Sequence, residues 1–275
     1  MVMPERTLAT PQTLEQVIVI AQEAGSILRR MYRESPHVWE KAPGDLLTEA
    51  DLAANAHIVQ RLGELFPHTV VWSEEGDVPP DTGAQLWLID PLDGTSNFAH
   101  RFPSFVVSIA LWEEGAFTLG VVYDPLREDT FAAVRGGGAT LNGRPIRVSA
   151  RERLAESIVG CDWTRGPARR TLLALVTDIG MDVHALRVIG AAALSIAYVA
   201  AGWMDGYFNA RLQPWDYAAG AVILTEAGGH IADWAGRPVG LRPTPIVCGN
   251  AHIFRLLQPR VGRVYWGDNG NNRDA

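Results

Sequence analysis

Apolar residues in the first part of the chain repeat at helical spacing. Leu14, Val17, Ile18, Ala21, Leu28 and Met31 fall on one face, and Thr13 followed by Gln16 has the spacing of a capping box. A second stripe of this kind, Leu52, Ala56, Val59, Leu62 and Phe66, stops at Pro67, with Asp45 and Asp51 bracketing its start. The texture then changes. TVVWSEEG predicts a short β-branched strand running into two glutamates, and QLWLID a second strand ending on a carboxylate. From Phe105 to Ser149 the segments FVVSIALW, AFTLGVVY and TFAAV, separated by turn signals, predict a β-meander. The Asn-Gly of LNGRPI adds a hairpin. After about residue 150, strand and helix alternate: SIVGCDW before a helix near 167–180, ALRVI before GAAALSIAYVAAG, DGYFNA before a helix opening at PWDYAAGAVILTEAGG, and TPIVCGN before a last short helix from about 251.

This rhythm predicts an α+β half over residues 1–150, packed against an α/β half over 151–265. The final GDNGNNRDA lacks apolar residues, so 266–275 reads as a disordered tail. There is no internal repeat and no Pro/Ser-rich linker, so the halves are expected to share one interface. Composition narrows the function classes. Hydrophobic residues are 47% and charged residues 20% of 275, an ordinary globular balance. A net charge of -7 argues against broad nucleic-acid binding. VIVIA at 17–21 is too short for a membrane span or a signal-peptide core and lacks a basic lead-in, so a cytoplasmic protein is expected. Cys161 and Cys248 stand alone and read as buried free thiols. Of 24 Lys and Arg residues only Lys41 is a lysine, which reads as codon bias.

Acidic residues sit where the chain reverses or changes element: Asp45 and Asp51, Glu74 and Glu75, Asp90 and Asp93, and Asp216. Each alone has an ordinary explanation, a helix cap for Asp51, a solvated turn for Glu74 and Glu75, a first-turn charge for Asp216. Asp90 is harder to explain that way. It closes an apolar strand, where an unpaired carboxylate is costly, and Pro91 biases it to an extended backbone. Asp93-Gly94 then turns the chain, leaving the N–H groups of Gly94, Thr95 and Ser96 free to bind an anion. Carboxylates beside a phosphate cradle make electrostatic sense only with cations between them. Oxygen ligands of this kind select Mg²⁺, Mn²⁺ or Ca²⁺ over zinc.

With GDLLTEAD (44–51), SEEG (73–76), DPLDGTSNF (90–98) and WDYAAGAVILTEAGG (215–229) in that order, the sequence resembles the inositol monophosphatase family of lithium-sensitive, Mg²⁺-dependent phosphatases. The resemblance implies a layered αβαβα sandwich, usually a homodimer, acting on a small phosphorylated metabolite at two or three Mg²⁺ ions, for which Mn²⁺ can substitute. It implies that Glu74, Asp90 and the Leu92 carbonyl hold one ion, that Asp90, Asp93 and Asp216 hold a second, and that Glu74 with Asp51 contributes to a weaker third. It further implies that Gly94, Thr95 and Ser96 grip phosphate, and that Thr95, oriented by Asp51, positions a metal-activated water for in-line attack. Glu75 and Asp45 would support that shell, and Lys41 reads as a bystander.

Two positions depart from the family pattern. Members acting on inositol phosphates carry a glutamate seven residues before the metal aspartate, where this chain has Asn209. After Gly190, Ala191 replaces a common Ser or Thr. An amide can bond a hydroxyl but gives no charge-assisted acceptor, so Asn209 reads equally as another way to hold a polyol or as a change of substrate. Arg165, Arg169, Arg170, Arg187 and Arg211 could meet a second anionic group, or could simply solvate the surface. Inositol 1-phosphate or a similar polyol or sugar phosphate leads, with histidinol phosphate, fructose 1,6-bisphosphate and nucleotide 3′-phosphates as alternatives. A haloacid-dehalogenase mechanism is rejected because it needs its two aspartates two residues apart rather than three. A non-catalytic regulatory binding protein is disfavoured by the full set of acids. RGGGA at 135–139 lacks the Lys of a P-loop, and no GxSxG or HExxH occurs.

Overall fold

Thr10, not Thr13, starts the first helix: its hydroxyl accepts from the Thr13 amide at 3.1 Å and its carbonyl from the Leu14 amide at 3.0 Å. In the computed structural model, which describes residues 7–34, 36–42, 45–77, 85–163, 166 and 168–269, this helix is α1 (Pro11–Glu34). A small hairpin follows, β1 (Val38–Ala42) and β2 (Asp45–Thr48), which the hydrophobic pattern does not predict because its apolar residues sit side by side rather than alternating with polar ones. Then comes α2 (Glu49–Leu65). Its capping box is real: Thr48 accepts from the Ala50 and Asp51 amides, and the Asp51 side chain accepts from the Thr48 amide.

The first sheet has seven strands in chain order: β3 (Val70–Ser73), β4 (Gln85–Asp93), β5 (Val106–Glu113), β6 (Ala116–Asp124), β7 (Asp129–Val134), β8 (Ala139–Leu141) and β9 (Arg144–Pro145). Only β3 and β4 pair in parallel; the rest form the expected meander. The β8–β9 turn has positive φ at both Asn142 (51°) and Gly143 (74°), as a two-residue Asn-Gly hairpin requires. Strand β4 does not end at Asp90 as its sequence suggests. It continues through Pro91 to Asp93 with a register irregularity between the two aspartates. That irregularity accommodates the proline, which has no N–H to donate. The five-residue helix α3 (Thr95–Ala99) follows.

A short 3₁₀ turn (Leu154–Glu156) leads into the second sheet, built from β10 (Ile158–Cys161), β11 (Ala185–Arg187), β12 (Gly206–Leu212), β13 (His230–Asp233) and β14 (Thr244–Gly249). Their spatial order is β11-β10-β12-β14-β13, with β10 parallel to both neighbours and the remaining pairs antiparallel. Interleaved in sequence are α4 (Ala168–Gly180), α5 (Ala192–Ala200), α6 (Pro214–Glu226) and α7 (Ala251–Asn269). Helix α7 is longer than expected: it runs through Pro259 to Asn269, into the span read as a tail, and residues 270–275 lie outside the described residues.

Three apolar clusters show the layering. One joins α1 and α2 to the first sheet, one joins both sheets to α5 and α6, and one joins the second sheet to α4 and α7. The molecule is therefore the expected αβαβα sandwich. The two central helices are apolar nearly all round because both faces are covered: Tyr217 to Leu224 of α6 and most of α5 are buried.

Candidate active site

The irregular end of β4, the start of α6 and the turn after β3 meet at one pocket of about 820 Å³. Glu74 is placed by its own backbone, whose amide donates to the Ile89 carbonyl on β4 at 3.0 Å. Asp90 accepts from the Leu92 amide at 3.0 Å, which turns its carboxylate off the strand. Asp216 stands at the third position of α6 and accepts from the Gln213 amide at 2.8 Å. One carboxylate oxygen from each of Glu74, Asp90 and Asp216 lies within 4.8 Å of the others.

Such crowding is unfavourable without a cation. Burial, and then repulsion from Glu74, Asp93 and Asp216, pushes the Asp90 carboxyl well above its ordinary range. Burial and the charges of Glu74 and Asp93 do the same to Asp216. Glu74 rises to about 7 through burial, opposed by Lys41 and reinforced by Glu75 and Asp51. Lys41 pairs with Glu75 at 2.5 Å and lies 3.8 Å from Glu74. A set of hard oxygen donors with so little positive charge nearby fits one or more divalent cations such as Mg²⁺ or Mn²⁺.

Asp93 lines the same pocket but is held differently. Its two oxygens accept from the Ala192 and Ala193 amides at 3.1 and 2.7 Å, at the N-terminus of α5. Burial, with repulsion from Asp162, raises it to about 7 despite those bonds. Asp51 accepts from the Thr95 hydroxyl at 3.1 Å, and the Leu92 carbonyl is the second acceptor within reach of that hydroxyl, at 3.0 Å. Burial raises Asp51 to about 6, moderated by its bonds from Thr48. Gly94, Thr95 and Ser96 line the pocket ahead of the first backbone bond of α3, which Phe98 makes to the Gly94 carbonyl at 3.0 Å. Gly94 has φ 96°, and a Cβ there would meet the Ser104 carbonyl at 2.9 Å, so the turn needs glycine.

On the opposite wall, Asn209, Gly190, Arg169 and Arg211 line the pocket. Arg187 instead bonds the carbonyl of its neighbour Leu186, Arg165 lies outside the described residues, and so does the placement of the Asp45 side chain, although its backbone pairs with Ala42. Ala191 is buried at the start of α5. The residue that sequence reasoning passed over is Asp162. It accepts from the Ile189 and Gly190 amides at 3.0 and 2.6 Å and from the Tyr207 hydroxyl at 2.9 Å. The signal that singled out Asp90, a carboxylate closing an apolar strand, is equally present in SIVGCDW.

The two sheets around buried helices, with acids gathered at one mouth, make a layered sandwich carrying a candidate cation site. The chain belongs to the inositol monophosphatase family, whose model matches residues 11–263. It is 37% identical over 260 residues to an inositol-1-monophosphatase of Mesorhizobium japonicum, covering 92% of this chain and 97% of that one. It is 37% identical over 243 residues to the Nus factor SuhB of Escherichia coli K12, covering 86% and 91%. Among solved structures, the extragenic suppressor protein SuhB of Bartonella henselae superposes with a TM-score of 0.87 at 37% identity, covering 91% of this chain and 98% of that one. Family members are phosphoric monoester hydrolases, and no helix among the described residues is long and apolar enough to cross a membrane.

Proposed function

We propose that this chain hydrolyses inositol 1-phosphate or a similar polyol or sugar phosphate with Mg²⁺ as its cation, two or three ions to a site. The observation that carries the reading is the convergence of Glu74, Asp90 and Asp216 beside the Asp51–Thr95 hydrogen bond. Glu74, Asp90, Asp216, Asp93 and the Leu92 carbonyl are the residues that would hold the ions. Divalent cations bound there would supply positive charge against the phosphate ester and make a bound water more acidic than bulk water.

The chain's own groups do the rest. The amides of Gly94 and Thr95 face the phosphate. The Thr95 hydroxyl, held by Asp51, accepts from the attacking water and aligns it with phosphorus, while its own proton stays on the Asp51 side. Asp51, raised to about 6 by burial, is a better proton acceptor than an ordinary carboxylate, and through the Thr95 hydroxyl it can take the water's proton as the new P–O bond forms. The first half of the chain, to about residue 150, supplies most of this machinery, and the second supplies Asp216 and the wall that meets the alcohol. The family resemblance extends the reading to inhibition by millimolar Li⁺ and to a homodimer. A purely regulatory role leaves the gathered acids without a use.

The test is phosphate release with Mg²⁺, with and without EDTA, from inositol 1-phosphate, histidinol phosphate, fructose 1,6-bisphosphate and adenosine 3′,5′-bisphosphate. A hundredfold preference in kcat/KM for inositol 1-phosphate, about 2.7 kcal/mol of discrimination, is expected. Preference for another member of the panel moves the substrate, and no Mg²⁺-dependent release from any of them sinks the reading.

A further inference from the structure

Both polar ends of the Asn209 side chain are bonded within the protein. Its Oδ1 accepts from the Arg211 amide at 3.0 Å, across the register irregularity of β12 between Asn209 and Leu212. Its Nδ2 donates to the Tyr207 hydroxyl at 3.1 Å. Tyr207 passes its own hydrogen to Asp162 Oδ2 at 2.9 Å, and Asp162 Oδ1 takes the amides of Ile189 and Gly190. All three side chains are buried. The result is a continuous hydrogen-bonded chain from the β12 irregularity to the turn that opens α5.

That turn is otherwise held by few contacts with large consequences. Gly190 has φ 77°, and a Cβ there would meet the Asn97 side chain at 2.9 Å. Asn97 Nδ2 donates to the Ile189 carbonyl at 2.8 Å. Two residues on, the Ala192 and Ala193 amides hold Asp93. The turn is thus clamped between two buried carboxylates, Asp162 behind it and Asp93 in front, and it forms the pocket wall that the alcohol part of a substrate must meet.

We propose that Asp162 is a positioning residue for substrate specificity, and that Tyr207 and Asn209 act through it rather than on the substrate. The donor–acceptor order explains the amide at position 209. A carboxylate there could not donate to Tyr207, whose one hydrogen is already spent on Asp162. It would pull that hydrogen away and leave Asp162 short of a partner, or leave a buried acceptor unpaired, either of which is unfavourable. Specificity then follows from how firmly the 189–193 turn is held.

The inference rests on the phosphatase reading above, and its test is arranged to separate the two. Tyr207→Phe removes only a hydroxyl. In this variant the ratio of kcat/KM for the preferred substrate of the panel to that for phenyl phosphate, which lacks polyol hydroxyls, is expected to fall tenfold or more, mainly through KM. Asn209→Glu should shift the ratio in the same direction, and the double variant should show much less than the product of the two effects. Amide hydrogen exchange at Ile189 and Gly190, which needs neither substrate nor cation, should quicken in both variants. An equal fall for both substrates, unchanged exchange at those amides, or a rise in activity on inositol 1-phosphate in Asn209→Glu would each overturn the proposal. Absence of phosphate release from the unaltered protein would instead reject the phosphatase reading and leave the exchange result standing.

Discussion

Asp93 and Asp216 do two jobs with one carboxylate. Each faces the pocket, and each accepts backbone N–H groups at the start of a helix, α5 for Asp93 and α6 for Asp216. At position 216 an amide oxygen can still accept from the single Gln213 N–H, so the fold should survive while the charge is lost; at position 93 an amide has one oxygen for two N–H groups, and its NH2 would face the other. Asp93→Asn and Asp216→Asn are each expected to lower kcat on the order of a hundredfold or more, with the melting temperature kept in Asp216→Asn and lowered in Asp93→Asn, where one α5 amide loses its acceptor. Near-normal turnover in either would remove that residue from the cation shell. Glu113 shows the opposite use of a buried acid. Burial works to raise it, but bonds from the Thr7 hydroxyl, the Leu8 and Ala9 amides and Gln85 outweigh burial and hold it below its ordinary 4.5. A lowered folded-state pKa gives stability that is present above the unfolded value and lost as pH falls through the folded one. The melting-temperature gap between the unaltered protein and Glu113→Gln should therefore be largest near pH 7 and shrink below about pH 4.5. A gap that holds constant to pH 3 would exclude this linkage.

Among the elements, α6 matters most because it is wedged between the sheets while carrying Asp216. It lies so close to β6 that a Cβ on Gly120 would come within 2.4 Å of the Ala219 carbonyl and 2.8 Å of its Cα. Both are backbone atoms, so relief requires the helix itself to move. Gly120→Ala is expected to destabilise by about 2 kcal/mol or more and to reduce activity by displacing Asp216. Gly63, exposed on α2, is the control: a Cβ there meets nothing within 4 Å. Gly63→Ala should stabilise by about 0.5–1 kcal/mol. Urea titrations of the two variants would check both signs, and a neutral Gly120→Ala would show that the contact can relax.

At the scale of the whole molecule, the site is where separate parts of the sandwich are tied together. Glu74 follows β3, Asp90 lies on β4 and Asp216 on α6, and their mutual repulsion opposes folding until a cation joins them. Mg²⁺ should therefore stabilise the protein by mass action, by about 2.7 kcal/mol at a hundred times its dissociation constant. That corresponds to a rise of several degrees in melting temperature, roughly 2–4 °C per kcal/mol in a domain of this size. EDTA should reverse the rise and Asp90→Asn should abolish most of it. Scanning calorimetry reads this without any substrate, and a melting temperature indifferent to Mg²⁺ would count against a cation site.

The sequence by itself determined most of the elements and the acids, and its family resemblance the layering. Helical stripes, the meander, the Asn-Gly turn and the strand–helix alternation after residue 150 are local patterns, and each element they predict is present. Asp90 could be picked out because a carboxylate closing an apolar segment is costly wherever it lies, and Glu74 and Asp216 joined it through the resemblance of their motifs to the family's. Tertiary structure decided what depends on partners distant in the chain. The β1–β2 hairpin has no apolar alternation to betray it, and β4 passes Pro91 only because the neighbouring strand tolerates a shifted register. Lys41 finds Glu75, and Asp93 finds the amides of α5 a hundred residues away. The residue type at 209 gives no sign that its oxygen accepts from the Arg211 amide while its nitrogen donates to Tyr207. A residue type states what a side chain can donate or accept, and only the packed fold states which partner takes it.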